Sequence, residues 1–222
     1  MLNVSHLTYH PAASPHPILE DIYLQLGPQQ LGLIVGASGA GKSTLLELMA
    51  GLATPTRGQI CWNGSPLQPS RLRAMAGLVF QFPERHFCGL TVLEELRFGH
   101  PELHQQEIEQ ALQQVGLQKI ALNQSPTQLS GGQQRRLALA VQLIRSPFLL
   151  LLDEPTAGLD WSVRRQIIRL LQELKQSWSI LVVTHDPAEL VDLADVQWSL
   201  KQGRLTTQAL PPPQDTPLQS EI

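Results

Sequence analysis

The sequence has few cysteines, and their positions suit neither a metal site nor a disulfide framework. Cys61 and Cys88 are the only two among the 222 residues. They stand far apart, without the paired spacing that structural zinc sites use. We interpret both as reduced thiols, which are usual in a cytosolic protein.

Long apolar runs and an excess of charge of one sign are also missing. The longest apolar run, Phe148 to Leu152, is far too short to cross a bilayer. The first residues, Met1 to Ser5, lack the charged and apolar regions of a signal peptide. The 16 Lys and Arg residues nearly balance the 19 Asp and Glu residues, and no basic block stands out. We therefore predict a cytosolic protein with no nucleic-acid partner, which would reach a membrane only through partner proteins.

What the sequence does contain is a glycine-rich stretch with the pattern G-x-x-x-x-G-K-[ST] of phosphate-binding loops. A short apolar segment at 31–35 precedes it, and the apolar segment Ser43 to Ala50 follows it and closes at Gly51. This order of strand, loop and helix is the context in which the pattern binds phosphate. The candidate phosphate-binding residues are Gly36, Ala37, Ser38, Gly39, Ala40, Gly41, Lys42, Ser43 and Thr44.

The residue types of this loop match the chemistry of a polyphosphate. Glycines let the backbone turn its N–H groups inward, and the positive end of the following helix dipole adds to their attraction for anions. Lys42 would place a positive charge beside the β- and γ-phosphates, and the Ser43 hydroxyl would be a ligand of Mg²⁺. The stretch therefore predicts a site for a nucleoside triphosphate and Mg²⁺.

Two adjacent carboxylates, Asp153 and Glu154, follow the leucine run at 149–152. An all-apolar run of this length indicates a strand buried on both faces, and open α/β sheets place ligands at the carboxyl ends of their strands. Two neighbouring acids at such an end destabilise the fold unless a cation neutralises them. We therefore predict that Asp153 is a Mg²⁺ ligand.

The order of the predicted elements indicates an α/β fold. Three β-rich segments near the start predict a small antiparallel β layer. Later in the chain two strands flank a helix, and this β-α-β order indicates a parallel sheet. The predicted strands are 2–9, 18–26, 31–35, 58–62, 77–80, 148–152 and 180–184, and the predicted helices lie within 43–50, 103–115, 130–144 and 161–175.

Four further motifs complete the pattern. The sequences LSGGQ, DEPT, AGLD and THD begin at residues 129, 153, 157 and 184. Together with the phosphate-binding loop they resemble the nucleotide-binding subunits of ATP-binding-cassette (ABC) transporters, and the resemblance runs from about Leu2 to Leu205. It implies a P-loop NTPase core with a mostly parallel sheet, an antiparallel β layer and an inserted α-helical subdomain.

The resemblance also implies how the chain is divided. We expect a single ABC ATPase domain at about 1–210, with its core at about 1–82 and 147–210 and the helical subdomain at about 83–146. The remaining tail, 211–222, is rich in proline and polar residues, and this composition predicts disorder.

By the same resemblance, several residues would serve a Mg²⁺-dependent ATPase. Glu154 is the implied general base that polarises the attacking water, and His185 would hold the γ-phosphate and that water. Gln81 would reach Mg²⁺ and link the ATP-binding core to the helical subdomain. Tyr9 would stack on adenine, although an ordinary tyrosine of a strand core is an alternative interpretation.

A second glycine-rich helix start, Ser130-Gly131-Gly132-Gln133, is a second potential anion-binding end. One nucleotide cannot easily contact two such starts in separate subdomains. The resemblance implies a head-to-tail dimer with a second ATPase subunit, either an identical copy or a paralogue, in which this stretch caps the γ-phosphate on the partner's loop. Asp160 would shape the dimer contact.

The stretch around Gln81 narrows the resemblance. Residues 79–87 read VFQFPERHF, and TVLEE and FG begin at residues 91 and 98. This is similar to the pattern F-Q-x-P…T-V-x-x-x-x-x-F-G of energy-coupling-factor (ECF) or cobalt-type importers of vitamins, metal ions or other small solutes. In those importers two ATPase subunits act with a transmembrane coupling subunit and a small substrate-binding membrane subunit. The chain would then lie on the inner face of the cell membrane, held there by its partners.

An apolar cluster in this stretch suits a groove that receives helices of the coupling subunit, although ordinary subdomain packing would use the same residue types. Its members are Phe80, Phe82, Phe87 and Leu90. Phe82 stands where the ECF pattern usually has Asn, and His86 where it usually has Gln. The chain also stops soon after Leu205, without the C-terminal extension that stabilises many such dimers, so dimerisation without ATP is not predicted. The alternative function is an ATPase of the same fold in a soluble assembly, for example of the iron–sulfur cluster assembly type.

Overall fold

The computed structural model describes residues 1–209, and within them ten strands and six α-helices alternate along the chain. The strands are β1 Leu2–Tyr9, β2 Leu19–Leu26, β3 Leu31–Val35, β4 Arg57–Trp62, β5 Ser65–Pro66, β6 Ala76–Val79, β7 Leu149–Asp153, β8 Ser179–Thr184, β9 Val196–Lys201 and β10 Arg204–Gln208. The helices are α1 Lys42–Met49, α2 Pro69–Met75, α3 Val92–Leu96, α4 Gln105–Gln114, α5 Gly131–Leu143 and α6 Trp161–Leu174. The tail predicted at 211–222 lies outside the described residues.

Six strands form a mostly parallel sheet in the order β10-β9-β3-β8-β7-β6. Every pair from β9 to β6 is parallel, and only the β9–β10 hairpin is antiparallel. The predicted parallel sheet is therefore confirmed. Because parallel strands end at the same edge, the segments that follow β3, β6, β7 and β8 emerge side by side.

Successive side chains of the central strands point to opposite faces of this sheet, and both faces are buried. One face, together with α1, packs against the antiparallel layer, and the other packs against α3 to α6. In β7 and β8 the residues on the first face are Leu149, Leu151, Leu181 and Val183. Those on the second face are Leu150, Leu152, Ile180 and Val182. All eight are buried, and each contributes about 1.5–3 kcal/mol of hydrophobic stabilisation.

The second sheet is the predicted antiparallel β layer, with strand order β2-β1-β4-β5. Its β4–β5 connection is a turn at Asn63-Gly64, in which both residues have positive φ, 49° and 80°. These angles belong to a type I′ turn, which matches the twist of a tight hairpin. Strands β1, β2 and β4 therefore form most of this layer, and the turn adds the short strand β5 at its edge.

Helix α2 and the β9–β10 hairpin are not among the predicted elements. The hairpin turns at Gln202 and Gly203, both with positive φ, 48° and 75°. A two-residue turn ending in glycine between two β-rich segments is a recognisable hairpin signal. Gly203 also lies under β2, because a Cβ there would come within 2.5 Å of the Ile18 carbonyl oxygen. The hairpin thus closes the sheet beside the phosphate-binding loop.

Helix α4, one of the helices between β6 and β7, has an apolar face that is buried. In α4 and its last turn, Ile108, Ala111, Leu112 and Val115 are buried against α5 and its neighbours, which confirms the amphipathic pattern. Helix α5 in turn packs its first turn against the first turn of α6. A Cβ added to Gly132 would lie 2.4 Å from Val163 Cγ1, so only glycine permits this close approach.

Substituting alanine for Gly132 should therefore destabilise the protein. Val163 is β-branched and held in α6, so it cannot rotate away from the added methyl group. We expect the free energy of unfolding to fall by about 1–3 kcal/mol in Gly132→Ala. The matched control is Gly131→Ala, whose Cβ would meet only Leu159, at 3.9 Å. Denaturant unfolding of both variants measures the difference, and equal stabilities would contradict this packing of α5 on α6.

Candidate nucleotide-binding and hydrolytic site

The phosphate-binding loop joins the end of β3 to the start of α1 and folds around its own lysine. Lys42 Nζ donates hydrogen bonds to the carbonyl oxygens of Gly36 (2.9 Å) and Ala37 (3.2 Å). Gly41, the last residue before α1, has φ +100°, which a residue with a side chain rarely adopts. The backbone of the loop therefore surrounds the buried ammonium group of its own lysine.

The first turn of α1 meets the end of β7 through one short hydrogen bond. The Ser43 hydroxyl donates to Asp153 Oδ2 at 2.6 Å. Asp153 is buried, and burial raises the pKa of its carboxyl, as does the neighbouring Glu154 carboxylate, whereas the Ser43 hydrogen bond and Lys42 lower it. A bound cation would relieve the cost of this buried carboxylate.

The donor set at this point fits Mg²⁺. A hydroxyl and a carboxylate oxygen lie together, and the Gln81 side chain borders the same cavity. Mg²⁺ prefers such oxygen ligands and takes the rest from phosphate and water. Within residues 1–209 there is no group of three or more His, Cys, Asp or Glu side chains that could hold a metal ion.

The Glu154 carboxylate is buried and has partners on both oxygens. Oε2 accepts a hydrogen bond from the Thr184 hydroxyl (2.8 Å), and Oε1 accepts one from the backbone N–H of His185 (2.9 Å). The His185 ring contributes Nδ1 at 2.8 Å from Oε1, and Lys42 Nζ lies 3.5 Å from the same oxygen. The base predicted from the sequence is thus held by α1 on one side and by the end of β8 on the other.

One cavity of about 660 Å³ brings most of the predicted site residues together. Its lining includes Ser38, Gly39, Gly41, Lys42, Ser43, Thr44, Gln81, Asp153, Glu154 and His185, with Ile18 at its edge. A second cleft of about 830 Å³ lies on the other side of the loop, against the β9–β10 hairpin. Its lining includes Gly36, Ala37 and Ala40. The predicted catalytic, metal-binding and phosphate-binding residues therefore converge at one edge of the parallel sheet.

The remaining predicted residues do not line this cavity. Ser130 and Gln133 form a capping box at the start of α5, and Asp160 caps α6 by accepting a hydrogen bond from the Val163 N–H at 3.0 Å. That backbone hydrogen bond lowers the pKa of the exposed Asp160 carboxyl. Tyr9, at the end of β1, is half-buried and packs against the core beneath the antiparallel layer.

One residue that contacts the site was not predicted. Arg135 is buried on α5 and donates hydrogen bonds to backbone carbonyls of the segments that follow β6 and β7. A signal for it exists in the sequence. Arg135 lies three residues after the buried Gly132 and four before the buried Leu139, so a charged side chain falls on the apolar face of the helix.

The chain belongs to the ABC transporter family. The family model described as "ABC transporter" matches residues 19–157, which is more than half of the chain. Together with the relatives described next, this makes the protein an ATP-binding and ATP-hydrolysing subunit that energises a transporter.

Two curated relatives cover nearly the whole chain. "ABC transporter I family member 11, chloroplastic" of Arabidopsis thaliana is 42% identical, over 95% of this chain and 82% of its own length. "Energy-coupling factor transporter ATP-binding protein EcfA2" of Bacillus subtilis is 38% identical, over 91% of this chain and 78% of its own length. Both similarities extend well beyond the phosphate-binding loop.

Two solved structures share the fold. One is cbiO1 from Clostridium perfringens, described as part of the ABC transporter complex cbiONQ. It has a TM-score of 0.86 and 29% identity, covering 94% of this chain and 88% of that chain. The other is the ATP-binding cassette MJ0796, a dimer in a post-hydrolysis state bound to ADP and Pi. It has a TM-score of 0.81 and 27% identity, covering 96% of this chain and all of that chain. They confirm the predicted ABC ATPase fold.

No helix within residues 1–209 combines the length and apolar character needed to cross a bilayer.

Removing the Thr184 hydroxyl should slow hydrolysis without weakening ATP binding. Thr184→Val keeps the shape of the side chain but leaves Glu154 Oε2 without its donor, so the carboxylate is held less firmly. We expect kcat to fall by about tenfold, the equivalent of one hydrogen bond to a charged group, with KM for ATP nearly unchanged. Thr184→Ser, which retains the hydroxyl, is the control. Equal kcat values for the two variants in a steady-state ATPase assay would show that this bond does not orient the base.

Proposed function

We propose that this chain is the ATPase subunit of an ECF-type importer of a vitamin, a metal ion or another small solute. One observation supports ATP hydrolysis by this chain: five predicted site residues converge around one cavity. They are Lys42, Ser43, Asp153, Glu154 and His185. The ECF assignment is supported by several relatives named as ECF transporter ATP-binding proteins. It is also supported by the motif that follows Gln81.

In this proposal the site residues divide the work of hydrolysis. The loop and Lys42 bind the phosphates of ATP, and Glu154 polarises the attacking water. His185, whose side chain is more than half exposed while its Nδ1 contacts Glu154, holds the γ-phosphate beside that water. A positioned base of this kind contributes about 10²–10⁴-fold to the rate.

Ser43, Asp153 and Gln81 are the proposed Mg²⁺ ligands. When bound, the ion would neutralise charge on the β- and γ-phosphates and on the buried carboxylate. Tyr9 is the proposed adenine contact, since β1 ends close to Ile18, which borders the phosphate cavity. The proposed division into a core (1–82 and 147–210) and a helical subdomain (83–146) is supported by α3, α4 and α5, which all lie between β6 and β7.

We further propose that the ATPase acts as a head-to-tail dimer, either of this chain or of this chain and a paralogue. The start of α5 and Asp160 at the start of α6 lie side by side, because Gly132 contacts Val163, yet neither lines the cavity of their own chain. The glycine-rich start of α5 suits the phosphate of a nucleotide held by another subunit, and Asp160 beside it would shape the dimer contact. The dimeric ADP-bound structural neighbour supports this arrangement.

Blocking hydrolysis should reveal this dimer. Glu154→Gln keeps the shape of the base but cannot take the proton, so ATP should persist and hold two chains together. We expect size-exclusion chromatography with light scattering to report a dimer of Glu154→Gln in saturating Mg-ATP. The control adds Lys42→Ala, which removes the charge that binds the phosphates, and should remain monomeric. A monomeric Glu154→Gln protein would contradict the homodimer, and the same measurement with a co-expressed paralogue would then test the heterodimer.

The proposed membrane contact is a groove between β6 and α5. It is lined by Leu78, Val79, Phe80, Pro83, His86, Phe87, Glu95, Ala138, Val141 and Gln142. Phe80 stacks on His86 with ring centroids 4.5 Å apart, and Phe87 packs on the core, so both build the wall. Phe82 and Leu90 are exposed beside it, and the Arg85 guanidinium lies 4.7 Å from the centre of the Phe82 ring. An apolar groove with a charged rim suits an amphipathic helix of a coupling subunit.

A buried carboxylate fixes the rim of this groove. Glu95 Oε2 accepts hydrogen bonds from the backbone N–H groups of Cys88 and Gly89, both at 2.7 Å. The loop after Phe87 is therefore held in one shape before any partner binds, which lowers the entropic cost of docking. Docking of this kind would place the chain on the inner face of the membrane through its partners.

Charge placed on the exposed part of this surface should separate hydrolysis from transport. We expect Phe82→Glu to abolish co-purification with the coupling subunit and uptake of the cargo. ATP turnover of the isolated subunit should stay within about twofold, because the exposed Phe82 does not line the cavity of the site. Phe148→Glu, another exposed aromatic, located where β7 begins, is the control. Intact assembly of Phe82→Glu would place the contact elsewhere. Recovery of soluble partners alone with the native protein would favour a soluble assembly of the iron–sulfur cluster type.

A further inference from the structure

Arg135 is a charged residue in an interior position. It lies on α5 just over one turn after Ser130, and only 5% of its surface is exposed. Burying a guanidinium is costly unless its N–H groups are hydrogen-bonded. Burial lowers the pKa of this guanidinium, and the negative charge of Glu84 acts in the opposite direction.

Its hydrogen bonds all go to backbone carbonyl oxygens. Nη1 donates to Glu154 (2.9 Å), and Nη2 donates to Gln81 (2.9 Å) and to Ala157 (3.3 Å). Gln81 follows β6, and the other two follow β7. One planar group therefore joins the two segments that carry the proposed Mg²⁺-side glutamine and the general base.

The backbone at Glu154 needs such support. Glu154 has φ +48°, a left-handed conformation that costs a residue with a side chain about 1–2 kcal/mol. Its N–H donates to the Val183 carbonyl oxygen (2.9 Å) in β8, and its own carbonyl oxygen accepts from Arg135 and from the Ala157 N–H (3.1 Å). The peptide groups on both sides of the base are thus fixed, one by β8 and the other by α5.

We propose that Arg135 is a positioning residue for ATP hydrolysis, which sets the separation of Gln81 and Glu154 and ties both to α5. The two terminal nitrogens of a guanidinium have a fixed spacing, so the two carbonyls they hold cannot move independently. This inference rests on the proposed roles of Gln81 and Glu154 in hydrolysis.

The position of Arg135 on α5 connects the two segments to the start of that helix. The same helix begins with the Ser130 stretch, which we propose contacts the nucleotide of the partner subunit. A displacement of α5 on nucleotide binding would be passed by one side chain to both Gln81 and Glu154 of its own chain. Arg135 thereby couples closure of one composite site to the geometry of the other.

Arg135→Lys tests the link, because lysine keeps the charge and most of the length but lacks the planar fork. The first readout is amide hydrogen exchange of the nucleotide-free protein. We expect exchange in the segments 81–86 and 154–159 to rise by about tenfold, the loss of one hydrogen bond from a charged group, with α1 and β8 unchanged. The second readout is steady-state ATPase activity, where we expect kcat to fall by about tenfold and KM for ATP to stay within about twofold.

Two further variants keep the test decisive. Arg169→Gln, which removes an exposed arginine of α6, is the charge control and should match the wild type in both readouts. Arg135→Gln, which keeps an amide donor, replaces the lysine variant if that variant does not fold.

Unchanged exchange in either segment would overturn the proposal, and so would a uniform rise across the whole chain, which indicates a general loss of stability. An unchanged kcat with raised local exchange would also overturn it. If the wild-type chain itself hydrolysed no ATP, the proposed function would fail, while hydrogen exchange would still decide whether Arg135 joins the two segments.

Discussion

Two buried neighbouring carboxylates at the end of β7 are the constraint on which the rest of the site depends. Asp153 and Glu154 are 7% and 6% exposed, and a buried carboxylate without partners costs several kcal/mol. The compensation comes from separate elements: Ser43 in α1 for Asp153, and Thr184 at the end of β8 for Glu154. Arg135 from α5 holds the adjoining peptide group. The relative placement of these elements therefore decides whether both carboxylates have partners.

The parallel sheet supplies that placement. In its register Asp153 is opposite Val183 and Val35 is opposite Thr184, so β3, β8 and β7 end almost level with one another. The phosphate-binding loop, the base and the histidine at the end of β8 therefore meet at one edge, although they are far apart in sequence. Leucine-rich strands packed closely on both faces hold this edge in place. Catalytic geometry here is a consequence of strand order.

The site formed by one chain is nevertheless only part of the proposed catalytic unit. The starts of α5 and α6 share a surface, held together by the contact of Gly132 with Val163, but they lie outside the cavity that their own loop forms. The glycine-rich start of α5 is the proposed contact for a phosphate on another subunit. Arg135 connects this surface to the carboxylate edge within one chain, and the groove between β6 and α5 lies on the same helix. Helix α5 would thus contact the nucleotide of the partner and the membrane subunit, and it is joined through Arg135 to the backbone beside the base.

The sequence by itself determined the class of this protein and most of its chemistry. A phosphate-binding loop and an acidic residue after a leucine run are local patterns, so residues 36–44 and Asp153 could be predicted from them. The roles of Glu154 and His185 were predicted from the resemblance to ABC ATPases. The other strands and helices were predicted to within a residue or two, but α2, α3, β5 and the β9–β10 hairpin were not among the predicted elements. Only the tertiary structure decided three features: the role of Arg135, the close contact at Gly132, and the separation of the α5 start from the cavity. Each of these depends on distances between segments remote in sequence, and such distances are set by packing rather than by any local pattern.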